Sequence, residues 1–294
     1  MQPALERYAF SLKHPAHGRR AKADSTVTAY CESARRFDAF MLEMGGDYDQ
    51  ATVEAFVRDL EEVRHVAPAT VGRHLDGLRS YFMFKGKAFD LANPQVRRKI
   101  PYYLKEEEWD RLFAVATRAL REPTAQPPDV RKALFLRAAI MAYFGAGLRL
   151  SEGVNLKVRD VDASGFLRVL GKGNKEGVVA VEDEVVTALK EWIKLNPGSV
   201  YVFPGKQPGT HISSVWMDQV MKTLFRRAGL PEEVHVHTLR HSFGAYLRSK
   251  RVPLRTIQDQ LRHSKVETTV WYTQGADEER RDEILKAGQF RKRE

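Results

Sequence analysis

Four short patterns in this sequence contain residue types that can bind a phosphate group and attack it. An arginine guanidinium is planar, stays charged and pairs bidentately with phosphate oxygens, while an ionised tyrosine is a nucleophile. A histidine one helical turn before an arginine can reach the same phosphate as that arginine. In chain order the patterns are GLRLSE at residues 147–152, GKGNK at 171–175, HTLRHSF at 237–243, and LRHS at 261–264 followed by Tyr272.

Each of these residues, taken alone, has an ordinary explanation. A helix ion pair, a solvated turn lysine, an exposed polar helix face and one packing tyrosine among ten would account, respectively, for Arg149 with Glu152, Lys172, His237 with Arg240, and Tyr272. Their joint occurrence in a fixed order, after a basic helical region, favours one shared site instead. No cluster of carboxylates suited to a two-metal site is evident, so we expect no metal and no other cofactor.

The charge of the chain favours a polyanionic partner. Its 294 residues carry a formal net charge of +10, and clustered Lys and Arg gain affinity for phosphates by releasing counterions. A basic protein that touches no nucleic acid is the alternative that charge alone leaves open.

The sequence lacks the signs of export or of a membrane anchor. The single cysteine, Cys31, excludes an internal disulfide, and its pattern predicts a small buried residue on a helix. Residues 1–20 lack the apolar stretch of a signal peptide, and no apolar run approaches the roughly 18 residues of a membrane span. We therefore expect a cytoplasmic, nucleoid-associated protein with no membrane partner.

Hydrophobic spacing predicts a small helical domain over residues 1–92. Residues 1–20 are basic and contain Pro15 and Gly18, which predicts a partly mobile arm. Ser25 is the expected N-cap of a first helix that ends at Gly45. Two further helices follow, one over residues 53–60 and one from Pro68 to about residue 82. Arg73 and Arg79 on the third of these helices are candidate DNA-binding residues.

A basic linker is predicted over residues 93–103, before a second domain at 104–294. The linker contains Arg97, Arg98 and Lys99, which either form a solvated tether or contact a DNA backbone, and we favour the second reading. The second domain is expected to have helices at 106–116 and 130–144, and a hairpin with strands at 166–170 and 177–181. Three or more helices follow the hairpin. Its turn, residues 171–174, is rich in residues that tolerate positive φ.

The four patterns and the two-domain plan resemble the tyrosine recombinase (phage integrase) family, over about residues 25–273. The resemblance implies a mainly α fold with a small antiparallel sheet: an N-terminal helical core-binding domain and an α+β catalytic domain. It matches Arg149 and Arg240 to the two arginines that hold the scissile phosphate, and Tyr272 to the nucleophile. His237 then accepts a proton or holds a phosphate oxygen, and His263 donates a hydrogen bond to the phosphate.

The resemblance also assigns the general acid and an orienting carboxylate. Lys172, at the tip of the hairpin, matches the lysine that protonates the departing 5′ oxygen. Lys175 is the rival in the same turn and otherwise a DNA contact. Glu152 is expected to orient Arg149 or His237, although a simple helix ion pair would serve as well.

The sequence departs from the family at Arg262, where the usual Leu-Gly-His pattern has glycine. If that turn needs a positive φ, Arg262 bears strain or the turn differs, which puts the assignment of His263 in question. The charged segment 276–290 is expected to contain a C-terminal helix that docks onto a neighbouring subunit. Otherwise Ile284, Leu285 and Phe290 would lack an apolar partner.

The function implied is site-specific recombination of double-stranded DNA through a 3′-phosphotyrosyl intermediate, by a tetramer on two duplexes. The length resembles Xer-type recombinases more than the larger phage integrases, and a paralogous recombinase is a possible partner. The alternatives are a minimal transposon, plasmid or phage integrase, a type IB topoisomerase-like enzyme that relaxes DNA as a monomer, and a DNA-binding protein without catalysis.

Overall fold

The computed structural model of the chain describes residues 2–16, 20–96, 101–171 and 176–262. Within these residues the chain divides into two compact units, Met1–Lys99 and Ile100–Glu294. Each unit has its own apolar core, so each is described by itself.

The first unit is entirely helical where the structure describes it. Its four α-helices are α1 (Gln2–Lys13), α2 (Asp24–Met44), α3 (Gln50–Arg58) and α4 (Pro68–Phe84). The α3 helix begins where the Asp49 side chain accepts a hydrogen bond from the Thr52 amide, and Gly45, at φ 68°, ends α2. The expected cap at Ser25 is wrong: α2 begins one residue earlier, with Ala23 at the N-cap.

Aromatic rings fill the core of the first unit. Phe37 of α2 is fully buried and meets Phe56 and Phe82 edge-on, with ring centroids 5.5 and 5.4 Å apart. Beside them the buried carboxylate of Asp38 accepts hydrogen bonds from the hydroxyls of Tyr48 and Tyr81, at 2.8 and 2.9 Å. This pairing satisfies a charge that would otherwise be costly to bury.

The N-terminal segment forms a packed helix, so the expectation of a partly mobile arm over its first 13 residues is wrong. Leu5, Tyr8 and Leu12 of α1 are buried against α2 and α4, and the Tyr8 ring lies 5.0 Å from that of Tyr81. The spacing of these three residues, every third or fourth position, is the apolar stripe of an amphipathic helix.

We predict that Leu12→Ala lowers the free energy of unfolding of the first unit by about 2 kcal/mol, because the buried side chain leaves a cavity. Phe10→Ala, on the exposed face of the same helix, is the matched control and should have little effect. The measurement is urea unfolding of the full chain by circular dichroism. All four tryptophans follow residue 100, so tryptophan fluorescence should show an unchanged second unit. Equal effects of the two variants would contradict the prediction.

The second unit combines helices with one β-hairpin in its described part. Its helices are α5 (Glu106–Thr117), α6 (Pro127–Ile140), α7 (Leu150–Val154), α8 (Asp183–Lys194), α9 (Ser214–Arg227), α10 (Val236–Ser249) and α11 (Leu254–Leu261). Strands β1 (Phe166–Leu170) and β2 (Glu176–Ala180) pair antiparallel, with Leu167 opposite Val179. The predicted hairpin is confirmed, although β2 begins and ends one residue earlier than expected. The fold class, mainly α with a small antiparallel sheet, is confirmed too.

The central helix of the second unit is α6, which is buried on nearly every side as its sequence predicted. Residues Ala138, Ala139 and Ile140 are fully inaccessible to solvent. The helix continues into a π turn, Met141–Gly145, in which Tyr143 is also fully buried. The Tyr143 ring packs so closely on Gly153 of α7 that any side chain there would overlap it. This contact fixes α7, and α7 carries part of the site.

Candidate active site

Arg149 and Glu152 form one unit at the start of α7. The Arg149 backbone N–H donates to Glu152 Oε2 at 2.7 Å, and the Arg149 Nη1 donates to Glu152 Oε1 at the same distance. Gly147, just before them, has φ 61°, and a Cβ there would lie 2.7 Å from the Phe243 ring. The glycine is needed both for this turn and for close packing. Glu152 therefore orients Arg149, as expected, through both its backbone and its side chain.

Helix α10 presents His237 and Arg240 one turn apart. His235 is the N-cap of the helix, where its side chain accepts a hydrogen bond from the Thr238 amide. His237 is exposed, whereas only 3 % of Arg240 is accessible to solvent. Arg240 donates one hydrogen bond to the carbonyl of Gly147 and another to the carbonyl of Leu261. Its Nη1 lies 3.8 Å from Glu152 Oε2.

Arg262 ends α11 in the left-handed conformation, with φ 50° and ψ 47°. The turn is therefore of the kind that favours glycine, and Arg262 adopts it despite its side chain. The Arg262 carbonyl accepts a hydrogen bond from Arg149 Nη2 at 3.1 Å. The Arg262 side chain folds back, and its Nη2 donates to Glu152 Oε2 at 2.5 Å. Sequence reasoning missed this last contact, although it identified the unusual residue.

The carboxylate of Glu152 is the electrostatic centre of the site. It is 3 % exposed and faces the guanidinium groups of Arg149, Arg240 and Arg262. Burial by itself raises the pKa of Glu152, but the charges of Arg262 and Arg149 and the Arg149 hydrogen bonds outweigh it and hold the pKa below its ordinary value. The group is ionised at neutral pH, and three cations against one anion leave the site positively charged.

Two histidines of α10 are held in the neutral form. Desolvation, then the charges of His235, Arg240 and Arg149, lower the pKa of His237 below its ordinary value. A neutral imidazole beside two arginines can accept a proton, which is the role expected of His237. Desolvation also lowers the pKa of His241 to about 4, with a further contribution from His237 and Arg240.

We predict that the stability of the second unit depends on His241 between about pH 6.5 and pH 4. The unfolded chain binds a proton there that the folded chain excludes, so stability falls as the pH falls through this range. Relative to His241→Asn, the wild-type chain should lose at most about 3 kcal/mol from pH 7 to pH 4, at about 1.4 kcal/mol for each pKa unit. Urea unfolding at a series of pH values measures this. A difference between the two proteins that does not change with pH would contradict the prediction.

Several expected site residues lie outside the described residues. These are Lys172 and Lys175 in the hairpin turn, Arg97, Arg98 and Lys99 in the linker, and His263 and Tyr272 near the C-terminus. The expected C-terminal helix lies there as well. The described strands β1 and β2 end directly on either side of the lysine turn, and α11 ends one residue before His263.

The two candidate DNA-binding arginines of α4 differ in their surroundings. Arg73 is exposed. Arg79 instead donates to Asp76 Oδ1 and Asn93 Oδ1, each at 2.9 Å, and to the carbonyl of Leu91. Arg79 thus ties the start of the expected linker to α4, a structural task that its sequence pattern did not indicate.

Neither a metal centre nor a membrane span is found in the part of the chain that the structure describes. No group of three or more His, Cys, Asp or Glu side chains there is placed to hold a metal ion. No helix in the same ranges is long and apolar enough to cross a membrane.

Comparison with known proteins identifies the class to which this fold and site belong. The model of the phage integrase family matches residues 103–279. A tyrosine recombinase of Thermosipho africanus (strain TCF52B) is 31% identical over 302 aligned positions, which cover 97% of this chain and 100% of that protein. Tyrosine recombinase XerC of Xanthomonas campestris pv. campestris (strain B100) is 36% identical over 236 positions, covering 76% of this chain and 69% of the relative.

A solved structure has the same fold. The crystal structure of XerH site-specific recombinase bound to difH substrate, in a pre-cleavage complex, superposes with a TM-score of 0.70 and 20% identity. The match covers 96% of this chain and 94% of XerH. These proteins are all tyrosine recombinases. The chain belongs to the phage integrase family and is a site-specific recombinase of the Xer type.

Proposed function

We propose that this enzyme cuts and rejoins double-stranded DNA at a specific site through a 3′-phosphotyrosyl intermediate on Tyr272. The observation that carries the proposal is the convergence of Arg149 and Arg240 around Glu152, with neutral His237 on the helix turn before Arg240. Two guanidinium groups can neutralise the charge that builds up on a phosphate as it is attacked.

The reaction begins when the Tyr272 oxygen attacks the phosphorus atom. A free phenol has a pKa of about 10, so the positive field of the arginines must favour the phenolate in the transition state. His237 accepts the phenol proton, and Arg149, Arg240 and His263 hold the non-bridging oxygens. The bond from phosphorus to the 5′ oxygen breaks, and Lys172 gives that oxygen a proton. The products are a tyrosine phosphodiester and a free 5′ hydroxyl.

Rejoining reverses these steps with a different hydroxyl. The 5′ hydroxyl of a second strand attacks the phosphotyrosine, Tyr272 leaves, and the protons return to Lys172 and the phenol. Since one phosphodiester replaces another throughout, no ATP is consumed. The arginines supply the charge stabilisation that a metal ion supplies in other enzymes, so the proposal includes no cofactor.

DNA contact and assembly complete the proposal. XerH, whose fold this chain shares, was solved bound to its difH substrate. The net charge of +10 and exposed Arg73 suit contact with phosphates, as do the basic residues Arg97, Arg98, Lys99 and Lys175. The enzyme acts on DNA in the cytoplasm as a tetramer on two duplexes, with residues 276–290 of one subunit docked on the next. A paralogous recombinase may replace some of the four subunits, if the purified chain proves inactive alone.

A recombination assay on selected DNA tests this function. The purified protein first selects its binding sequence from a library of randomised duplexes. Two duplexes of different length that carry this sequence are then incubated with the protein, and the product lengths are measured. We expect recombinant lengths, and a mass in sedimentation that corresponds to four chains on two duplexes.

Other outcomes separate the alternatives. Relaxation of supercoiled DNA by single chains, without recombinant products, would favour a type IB topoisomerase. Binding without any covalent complex would favour a DNA-binding protein without catalysis. Either result would overturn the proposed function.

A further inference from the structure

Arg262 stands where the backbone favours glycine, yet its side chain is built into the site. Its φ of 50° lies in the left-handed region, which is unfavourable for residues with a side chain. The side chain is only 15 % exposed. It crosses β2 at Gly177, where an added Cβ would lie 2.7 Å from Arg262 Cδ. The path from the α11 end to Glu152 therefore requires the absence of a side chain at residue 177.

The buried position of this guanidinium is costly for stability. Its Nη2 is paired with Glu152, but its Nε and Nη1 are buried with no hydrogen-bond partner among the described residues. A buried donor that has lost its water partners and gained none destabilises the fold. A buried ion pair is in general weak evidence for stability. The arrangement is better explained by an effect on the groups around Glu152.

Arg262 occupies the Glu152 oxygen that lies towards Arg240. Glu152 Oε1 is taken by Arg149 Nη1, and Oε2 accepts from both the Arg149 backbone and Arg262 Nη2. Arg240 Nη1 stays 3.8 Å from Oε2, beyond hydrogen-bond distance, and donates to the Gly147 carbonyl instead. The negative charge of Glu152 is thus neutralised largely by Arg262, and Arg240 is not drawn onto it.

We propose that Arg262 is a positioning residue for the recombination reaction: it neutralises Glu152 so that Arg149 and Arg240 keep their charge and placement for the phosphate. This inference rests on the proposed function, since it concerns the same site. Arg262 acts through Glu152, and its two remaining N–H groups are buried away from the position of a bound phosphate.

Without the Arg262 charge, Glu152 would be left with two guanidinium groups as its counter-ions. Arg240 would then close the 3.8 Å gap to Oε2, which moves its Nη1 by about 1 Å from its present place. A displacement of about 1 Å in a catalytic group can slow a reaction by up to about 100-fold. Removal of the Glu152 charge should abolish this pull, whatever residue is at position 262.

A double-mutant cycle with Arg262→Gln and Glu152→Gln tests the proposal. The substrate is a nicked duplex of the selected binding sequence, which traps the covalent complex, and the rate is measured with all DNA bound. We expect Arg262→Gln to slow cleavage at least about tenfold, and Arg262→Lys to retain the rate within about threefold because it restores the charge. In the Glu152→Gln background, Arg262→Gln should change the rate by less than about twofold.

Thermal unfolding of each variant shows whether it is folded at the assay temperature. If Arg262→Gln is not folded, Arg262→Met and Arg262→Lys complete the same cycle. A neutral variant that cleaves as fast as the wild type would overturn the proposal, as would equal effects in the two backgrounds. In both cases the wild-type protein still cleaves, so the proposed function stands. A wild-type protein that forms no covalent complex contradicts the proposed function itself.

Discussion

Replacing Tyr272 with Phe is expected to abolish the covalent DNA complex, with cleavage reduced to below about 1/10,000 of the wild-type rate. The substitution removes one oxygen, which is the atom that bonds to phosphorus. Arg149, Arg240 and Glu152 are untouched, so DNA affinity should remain within about twofold of the wild type. A nicked duplex of the selected sequence and a denaturing gel measure the complex, and a binding assay on intact duplex measures the affinity.

Tyr246→Phe is the matched control for this prediction. Tyr246 is an exposed tyrosine of α10, in the same unit as the site, and its hydroxyl has no role in the proposed reaction. The control should cleave normally. Persistent cleavage by Tyr272→Phe, with the label recovered on a different tyrosine, would contradict the assignment of the nucleophile.

Glu152→Ala is expected to destabilise the second unit by about 3–5 kcal/mol, because it removes one partner from a buried ionic cluster. The change leaves the Arg149 backbone N–H, the Arg149 side chain and Arg262 without their carboxylate. Urea unfolding monitored by tryptophan fluorescence reports on this unit. The control is Glu191→Ala, which breaks an ion pair of similar length to Arg137, 2.6 Å, in which Glu191 is 41 % exposed. A partly exposed pair of this kind should contribute at most about 1 kcal/mol.

The effect of Glu152→Ala should also depend on pH in a defined direction. The folded state holds the pKa of Glu152 below its ordinary value, so its contribution is complete above about pH 4.5. The contribution is lost as the pH falls through the lower folded-state pKa. The stability difference between wild type and variant should therefore shrink in acid. Equal losses for Glu152→Ala and Glu191→Ala at pH 7 would contradict the proposed ionic cluster.

Local pattern was sufficient to predict most helices and the hairpin. The apolar spacing of α2, the near-continuous apolar run of α6 and the turn residues between the strands each follow from short-range rules. The same rules also applied to α1, whose Leu5, Tyr8 and Leu12 have helical spacing. There the basic residues and Pro15 obscured the stripe. The π turn after α6 has no comparable signature in the sequence.

The residues of the site were predictable by type, but their contacts were not. The motifs identified Arg149, Glu152 and Arg240, and the structure brings these three together. The bond between Arg262 and Glu152 joins residues 110 positions apart, and it depends on a left-handed turn and on Gly177. Exposure was equally hard to predict: His241 is largely enclosed although it lies one turn after exposed His237. Such features arise from tertiary packing, which single-sequence patterns do not contain.

The π turn Met141–Gly145 makes the site sensitive to chain length as well as to residue type. A π turn contains one residue more than an α-helical turn, and each residue of a helix advances the chain by about 100°. A one-residue deletion between Met141 and Gly145 would restore regular helix but rotate everything that follows by about that angle. Tyr143 would no longer face Gly153, and Arg149 would leave the other groups of the site. Substitutions in this turn should therefore be tolerated far better than the loss of a single residue.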